Sequence, residues 1–335
     1  MIPLHIDSLD PAFNLAFEEV LCNTLPADHP GWLLLWRNGP SVIVGRFQNT
    51  AAEVNARYIE ANAIRVVRRN TGGGAVYHDE GNLNFSFIMP RGAKGDGPFE
   101  DFSFSGFLGP MVDAMRDLGV AAELSGRNDM LTDGAKFSGS AQRQTKTMVL
   151  HHGTLLIDLD MSILGQALAG DPEKFKSKGL ASVRSRVTNL RPYLREGTDM
   201  RAVMEAIVAR CAPGEVIRTA GAFPCEASEA EALAASKYRT WEWNYGSSPA
   251  FDEARAFRFP WGKLEMHLRV EEGIIRDCRF YGDFFSAADP EQIAGRLRGV
   301  SNRAEAVRQA LDDAPLETCF SGSSREEVLA FLSGS

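Results

Sequence analysis

Residues 68–79 read Arg68-Arg69-Asn70-Thr71-Gly72-Gly73-Gly74-Ala75-Val76-Tyr77-His78-Asp79, three consecutive glycines behind a pair of arginines. Ordering three glycines in a row costs backbone entropy, which is tolerated where the chain needs positive φ or where a ligand lies against the main chain. Successive N–H groups in such a loop point into one concavity and bind an anion, and the arginines add bidentate donors. The same pattern also fits a Gly-rich hairpin with two solvated arginines. No Gly-Lys-Ser/Thr follows, so the segment is not a P-loop. The spacing is not Gly-x-Gly-x-x-Gly and a strand-like run follows, so it is not a dinucleotide fingerprint either.

Working outward, Ile64–Arg68 reads as a strand leading into the glycines. Asn82 to Met89 alternates, with Leu83, Phe85, Phe87 and Met89 on one face, which predicts a half-buried strand. The Gly-rich loop therefore joins two strands. Upstream, Asp10 as N-cap and Pro11 at the first helical position open a helix carrying Phe13, Leu15, Ala16, Phe17, Val20 and Leu21. Trp32–Trp36 and Ser41–Gly45, separated by Asn38-Gly39-Pro40, predict a hairpin or two neighbouring strands, and Ala51–Ala61 a helix.

Downstream, a helix is expected over 102–118, then Leu124–Leu131, a turn at Thr132-Asp133-Gly134, and two strands, 135–142 and 148–157. Lys136 stands on the first of these among the small residues Ser138-Gly139-Ser140-Ala141, which admit a close neighbour to the backbone. It reads either as a point charge for a phosphate or carboxylate oxygen or as an ordinary surface lysine. On the second strand, alternation sends His151 and His152 to opposite faces, a poor arrangement for a metal pair. One of the two lines a cleft or both are structural. Between Lys174 and Arg195 stand seven basic residues and no acidic one, either a loop that closes over an anion or a solvated run.

The chain has 335 residues, 44% hydrophobic and 24% charged, which fits a globular protein of two domains and excludes global disorder. A net charge of −8 leaves no overall field for nucleic acid, so no nucleic-acid partner is expected. Five scattered cysteines without a Cys-x-x-Cys pair predict reduced, mostly buried thiols. The N-terminus lacks a signal-peptide pattern and no apolar run approaches a membrane span, so a cytoplasmic protein without membrane contact is expected. After residue 199 a helix runs to Arg210, Gly246-Ser247-Ser248-Pro249 reads as a linker, and the remainder offers two strands (263–270 and 273–281) followed by three helices. No Gly-x-Ser-x-Gly elbow or His-Glu-x-x-His motif occurs, and no cysteine lies between Cys22 and Cys211.

Taken together and in this order, these segments resemble the lipoate-protein ligase A family of the biotin/lipoate protein ligase superfamily. The matching stretches are Phe13–Ala16, Leu35–Asn38, Val44–Arg46 with Gln48-Asn49, Arg68–Asp79 and Gly81-Asn82. They continue through Ser125–Asp129, Lys136 with Ser138–Ala141, His151–Leu155, Ser182–Leu190 and Trp241–Asn244. The resemblance implies an α+β fold: a biotin/lipoate protein ligase-like catalytic domain of mixed β-sheet with flanking helices, plus a small C-terminal α/β domain. The expected boundaries are 1–245 for the catalytic domain, 246–252 for the linker and 253–335 for the C-terminal domain.

The implied activity is an ATP-dependent ligase that turns lipoate or octanoate and Mg-ATP into an acyl-adenylate and pyrophosphate. The acyl group then passes to a lysine of an apo lipoyl domain of a 2-oxoacid dehydrogenase complex, or of the glycine-cleavage H protein. By the same resemblance ATP and the adenylate fall to Arg69, Gly74, Ala75, Val76, Tyr77 and Lys136. Lipoate falls to Lys136, Gly73, Gly74, His78 and His152, and the loop covering the adenylate to Ser182, Val183 and Arg184. Lys136 is the expected catalytic residue, stabilising charge on carboxylate, phosphate and acyl oxygen rather than attacking. No magnesium ligand is named, and a monomer is expected. Asn70-Thr71 replaces the Ser-Ser common before the glycines in the family. Two alternatives stay open: an acyl transferase of the same superfamily, which would need a cysteine that is missing beside Lys136, and a non-catalytic binder of the adenylate or of a lipoyl domain. Biotin-protein ligase is disfavoured by the absence of its Gly-Arg-Gly-Arg-Arg-Gly loop.

Overall fold

A computed structural model describes residues 1–91, 102–126, 128–168, 187–245, 253–271 and 273–334. The strands in chain order are β1 (Ile2–Ile6), β2 (Trp32–Trp36), β3 (Ser41–Val44), β4 (Arg65–Arg68), β5 (Val76–His78), β6 (Asn82–Pro90) and β7 (Glu123–Ser125). They continue as β8 (Asp129–Thr132), β9 (Ala135–Gln144), β10 (Met148–Leu156), β11 (Arg218–Thr219), β12 (Glu253–Phe259), β13 (Gly262–Glu271) and β14 (Ile274–Gly282).

Eight strands form one sheet in the order β11-β1-β2-β6-β10-β9-β8-β7. It is mixed: β1 runs parallel to β2 and β11, whereas β6 is antiparallel to both β2 and β10. Helices Phe104–Asp117 and Met200–Cys211 cover one face over a core that includes Phe85, Phe87, Phe107 and Phe137. Helix Pro11–Asn23 and the stretch around Ala230–Tyr238 cover the other, over Leu15, Phe17, Leu34 and Trp36. The first of these helices starts where its cap predicts, with Asp10 Oδ1 accepting from the Ala12 N–H at 3.1 Å.

The polar side of β6 departs from its reading as half-buried. Asn82, Asn84 and Ser86 are as inaccessible as Leu83, Phe85 and Phe87. Their face looks into a hydrogen-bonded interior and a cavity rather than into bulk water.

Trp32–Trp36 and Ser41–Gly45 do not form a hairpin. Both edges of β2 are taken, by β1 and β6, so the turn at Asn38-Gly39-Pro40 carries the chain out to a second sheet. There β3 is central in the order β4-β3-β5, parallel to β4 and antiparallel to β5. Thus the two strands flanking the glycines are joined through β3. The segment 51–61 is also broken: Val54 is extended, and Asn55 starts a new helix, Ala56–Ala61, by accepting from the Tyr58 N–H.

From Glu253 onward the chain has three antiparallel strands, not two, ordered β12-β13-β14, with helices Glu291–Leu297, Ala304–Ala310 and Arg325–Ser333 on a separate core. The charged residues Glu253, Arg255 and Arg258 hide β12 from a hydropathy reading. This lobe touches the larger one beside the glycines: Phe47 stacks on Phe284 with centroids 4.9 Å apart, and Gly282 N–H donates to Phe47 O at 2.7 Å. The expected linker 246–252 lies outside the described residues.

Candidate active site

The two arginines ahead of the glycines are not solvated, and each holds a different part of the chain. Arg68 is buried and donates to the carbonyls of Gly45, Gln48, Trp243 and Asn244 and to Thr50 Oγ1. Burial, with Arg46 nearby, lowers its pKa to about 10, so it stays charged at neutral pH. Arg69 turns back on its own loop. Its Nη2 donates to Gly72 O at 2.7 Å and Gly74 O at 2.9 Å, its Nη1 to Ile43 O and its Nε to Thr71 Oγ1. Arg69 therefore clamps the glycine carbonyls on one side, which leaves the opposite side of the loop free to face a ligand.

Each glycine answers a different constraint. A Cβ at Gly72 would lie 2.3 Å from Phe284 O, Gly73 has φ +92°, and Gly74 has nothing within 4 Å of a Cβ. Gly72 thus meets the small lobe, Gly73 makes the turn and Gly74 opens onto empty space. Asn70 ties the loop to the second helical layer by donating to Tyr238 Oη.

That space is a cavity of about 1260 Å³ between the two sheets of the larger lobe, with Asp283 and Phe285 of the smaller lobe at its border. It is large enough for more than one drug-sized ligand. The structure brings to it Arg69, Gly73, Gly74, Ala75, Val76, Tyr77, His78, Lys136 and His152. Ser182, Val183 and Arg184 lie outside the described residues, but Val187, just beyond them, borders the cavity and pairs with Lys136, whose carbonyl accepts from Thr188 N–H at 2.8 Å.

Lys136 is no free surface lysine. Its Nζ lies 2.7 Å from Asp129 Oδ1, with the side chain 37% exposed. Gly139 makes this placement possible, because a Cβ there would come within 2.8 Å of Nζ. Asp129 holds the ammonium at the cavity wall, from which it can exchange onto an anionic oxygen.

His152 reaches the same cavity from β10. Its Nδ1 lies 2.9 Å from the buried Glu18 carboxylate and its Nε2 2.6 Å from Thr71 Oγ1, which itself accepts from Arg69. Glu18 also accepts from Ser86, which in turn accepts from Trp36 Nε1. The interior beneath the glycines is thus one polar chain from Glu18 to Arg69. His151 points the other way, among Phe85, Phe104 and Phe107, and burial pushes its pKa down to about 3. The two histidines do not converge, and among the described residues no group of three His, Cys, Asp or Glu is placed to hold a metal.

His78 is buried, and burial with Arg69 nearby lowers its pKa to about 3, so the ring is neutral. Its Nδ1 lies 3.1 Å from Asn38 Nδ2. Further wall residues, none of them among the expected ligand contacts, are Leu15, Trp36, Ile43, Asn84, Ala141, Asp283 and Phe285. Trp36 and Ile43 looked like ordinary strand interior. The polar alternation Asn82, Asn84, Ser86 was the visible signal that one face of β6 serves something other than a core.

The fold and this cavity define a two-lobed protein in which the glycine loop, Arg69 and Lys136 share one cavity with Leu15, Trp36 and Ile43. Residues 10–212 match the lipoyl protein ligase A/B catalytic domain, and 248–332 the bacterial lipoate protein ligase C-terminus. The chain belongs to the lipoyl protein ligase A/B family. It is 38% identical over 327 residues to the lipoate-protein ligase LplJ of Bacillus subtilis, covering 96% of this chain and 97% of that one. Its fold is similar to that of LipL1 of P. falciparum solved with lipoate, at TM-score 0.79 and 22% identity over 99% of this chain and 98% of that one. It is similar as well to a lipoate-protein ligase A bound with ATP, at TM-score 0.61 and 28% identity over 73% and 99% of the two chains. No described helix is long and apolar enough to cross a membrane.

Proposed function

We propose that this protein is an ATP-dependent lipoate–protein ligase. It joins an eight-carbon acid to AMP with release of pyrophosphate, then passes the acyl group to a lysine of a carrier domain. The observation that carries the reading is a single one: Lys136 Nζ and the Gly73–Tyr77 backbone border the same cavity.

In the first step a carboxylate oxygen attacks the α-phosphorus and pyrophosphate leaves. The carboxylate is already ionised, so positioning and positive charge suffice and no general base is required. Lys136 leaves Asp129 to bridge carboxylate and phosphate oxygens. Gly74, Ala75, Val76 and Tyr77 lie along the nucleotide, and Arg69 fixes the shape of that cradle while contributing its charge. Gly73, His78 and His152 bound the acyl chain, and Ser182, Val183 and Arg184 cover the adenylate. In the second step the acceptor amine attacks the carbonyl carbon of the mixed anhydride and AMP leaves with both bonding electrons. Lys136 then steadies the charge that develops on the acyl oxygen.

Magnesium fits as a companion of the triphosphate, which it would neutralise. Such an ion needs only one or two carboxylates; Glu53 and Asp283 border the cavity, and Asp129 stands beside Lys136. The acceptor is an apo lipoyl domain of a 2-oxoacid dehydrogenase complex or the glycine-cleavage H protein. We place the protein in the cytoplasm as a monomer, with residues 1–245 holding the chemistry, 246–252 linking, and 253–335 as an accessory domain.

A cysteine-dependent acyl transferase is the weaker reading, since none of the five cysteines borders the cavity and Cys22, Cys211, Cys278 and Cys319 are buried. Exchange of labelled pyrophosphate into ATP tests the first step directly. Exchange that requires lipoate supports the ligase, and its absence with an active control enzyme present would refute it.

A further inference from the structure

The base of the glycine loop is gripped from two faces. Arg69 N–H donates to Val44 O and Thr71 O accepts from Arg46 N–H, so the chain continues the β4–β3 pairing with alternate side chains on opposite faces. Arg69 and Thr71 turn inward, where Thr71 Oγ1 meets His152 and His152 meets Glu18. Asn70, between them, turns outward. Lys237 Nζ lies 3.2 Å from Asn70 Oδ1, and an ammonium only donates, so that atom is the amide oxygen. Asn70 Nδ2 then donates to Tyr238 Oη at 2.5 Å, and Tyr238 Oη donates in turn to Glu19 Oε2 at 2.8 Å. Lys237 Nζ closes the ring by donating to the same carboxylate at 2.7 Å.

This ring of Asn70, Tyr238, Glu19 and Lys237 joins the loop base to helix Pro11–Asn23 and to a turn of π-helix, Ala234–Tyr238. Arg239 N–H closes that turn on Ala234 O at 2.8 Å. A π turn holds more residues than an α turn, so the consecutive Lys237 and Tyr238 diverge less and both reach Glu19; such turns recur at functional sites. Trp243 steadies the lysine, whose Nζ sits 4.0 Å from the indole centroid while the indole N–H donates to Arg68 O. With side chains 14% and 23% exposed, Glu19 and Lys237 are shielded from the water that loosens surface pairs. None of the ring's side chains borders the cavity. Glu18 and Glu19, neighbours on one helix, thus hold the inner and outer faces of one loop base.

Resting on the ligase reading above, we propose that Asn70 is a positioning residue for the nucleotide: through its ring on Glu19 it orders the glycine backbone before ATP arrives. Gly73 and Gly74 have no side chains to hold them, so a loop base released on its outer face leaves more freedom to be lost on binding. That cost is equal in ground and transition states, so it falls on KM for ATP and not on kcat. The wall assigned to the acid keeps its own anchor in Glu18 and His152, so KM for lipoate is unaffected.

The test is lipoate-dependent exchange of labelled pyrophosphate into ATP by the full-length protein. Asn70→Ala removes both bonds to the loop base and leaves Glu19 paired with Lys237 and Tyr238, so melting changes little. KM for ATP is expected to rise about tenfold, the scale of two lost hydrogen bonds, with kcat and KM for lipoate within about twofold of the parent. Tyr238→Phe is expected to raise KM for ATP by a smaller factor and to add nothing to Asn70→Ala, because the hydroxyl reaches the loop only through Asn70. An unchanged KM for ATP in a folded Asn70→Ala protein overturns the proposal. So does a rise shared equally by ATP and lipoate, or additive losses in the double variant. If Asn70→Ala does not fold, an unchanged KM for ATP in Tyr238→Phe overturns it instead. Absence of lipoate-dependent exchange in the parent protein would bring down the ligase reading on which it stands.

Discussion

Lys136 is held by one ion pair and is spared crowding by one glycine, and both features bear on its chemistry. Lys136→Ala is expected to cut adenylate formation at least about a hundredfold, the scale of losing one charge-stabilising donor, while the melting temperature stays near that of the parent. Lys136→Arg is expected to be strongly impaired too, because a planar fork does not replace a compact ammonium over Gly139. Near-normal turnover in either variant would remove Lys136 from its assigned role. The buried imidazoles make a second prediction. Burial holds the pKa of His78 and His151 near 3 in the folded protein, against 6.5 when exposed. The folded pKa is depressed, so as pH falls below 6.5 the unfolded chain takes up protons that the native one refuses. Stability is complete above that value and declines toward pH 3, by up to about 1.4 kcal/mol per pH unit for each ring. Melting curves between pH 6.5 and 4.5 check this, and His151→Gln is expected to flatten the slope; an identical slope would contradict it.

Among the elements, the Gly-rich loop was legible because three adjacent glycines have few other uses. Lys136 stood out weakly through its small neighbours and gained its expected role through the family resemblance. What could not be read was the partner of each residue: Arg69 looked ready to reach a phosphate directly, yet its donors go to the carbonyls of Ile43, Gly72 and Gly74 and to Thr71 Oγ1. The route of the chain after β2 was hidden for a similar reason, since the turn at Asn38-Gly39-Pro40 says that the chain bends and not which sheet receives it. The polar face of β6 was read as solvent because alternation cannot tell bulk water from a buried cavity. The glycines themselves are separable by experiment. Gly72→Ala is expected to lower the melting temperature, because its Cβ would collide with Phe284 O. Gly74→Ala is expected to leave melting unchanged and to raise KM for ATP, its Cβ projecting into the ligand's space; the reverse assignment would refute this division of labour. Around Val187 and Thr188, which pair with Lys136, amide exchange over 182–190 is expected to slow when lipoate and ATP are added together.

At the scale of the molecule, two cores meet at the glycines. Phe284 and Gly282 of the smaller lobe touch Phe47, while Asp283 and Phe285 border the cavity itself. The smaller lobe is thus part of the cavity's wall as well as an appendage, which nothing in the sequence of 282–286 announced. Phe284→Ala would leave a hole against Phe47 and Phe320 and destabilise by about 3 kcal/mol. The loss is expected to appear as faster exchange in 253–334 more than in the sheet around β6. Leu15, Trp36 and Ile43, Lys136 and the Gly73–Tyr77 backbone all border one cavity.

On the proposed function, this volume couples free lipoate to a protein lysine at the expense of ATP. The most direct measurement is the intact mass of an apo lipoyl domain after incubation with the protein and lipoate, with and without Mg-ATP. A gain of one lipoyl group is expected only when Mg-ATP is present, and none with Lys136→Ala. No gain with a competent acceptor and an active control ligase, or an equal gain without nucleotide, would contradict it.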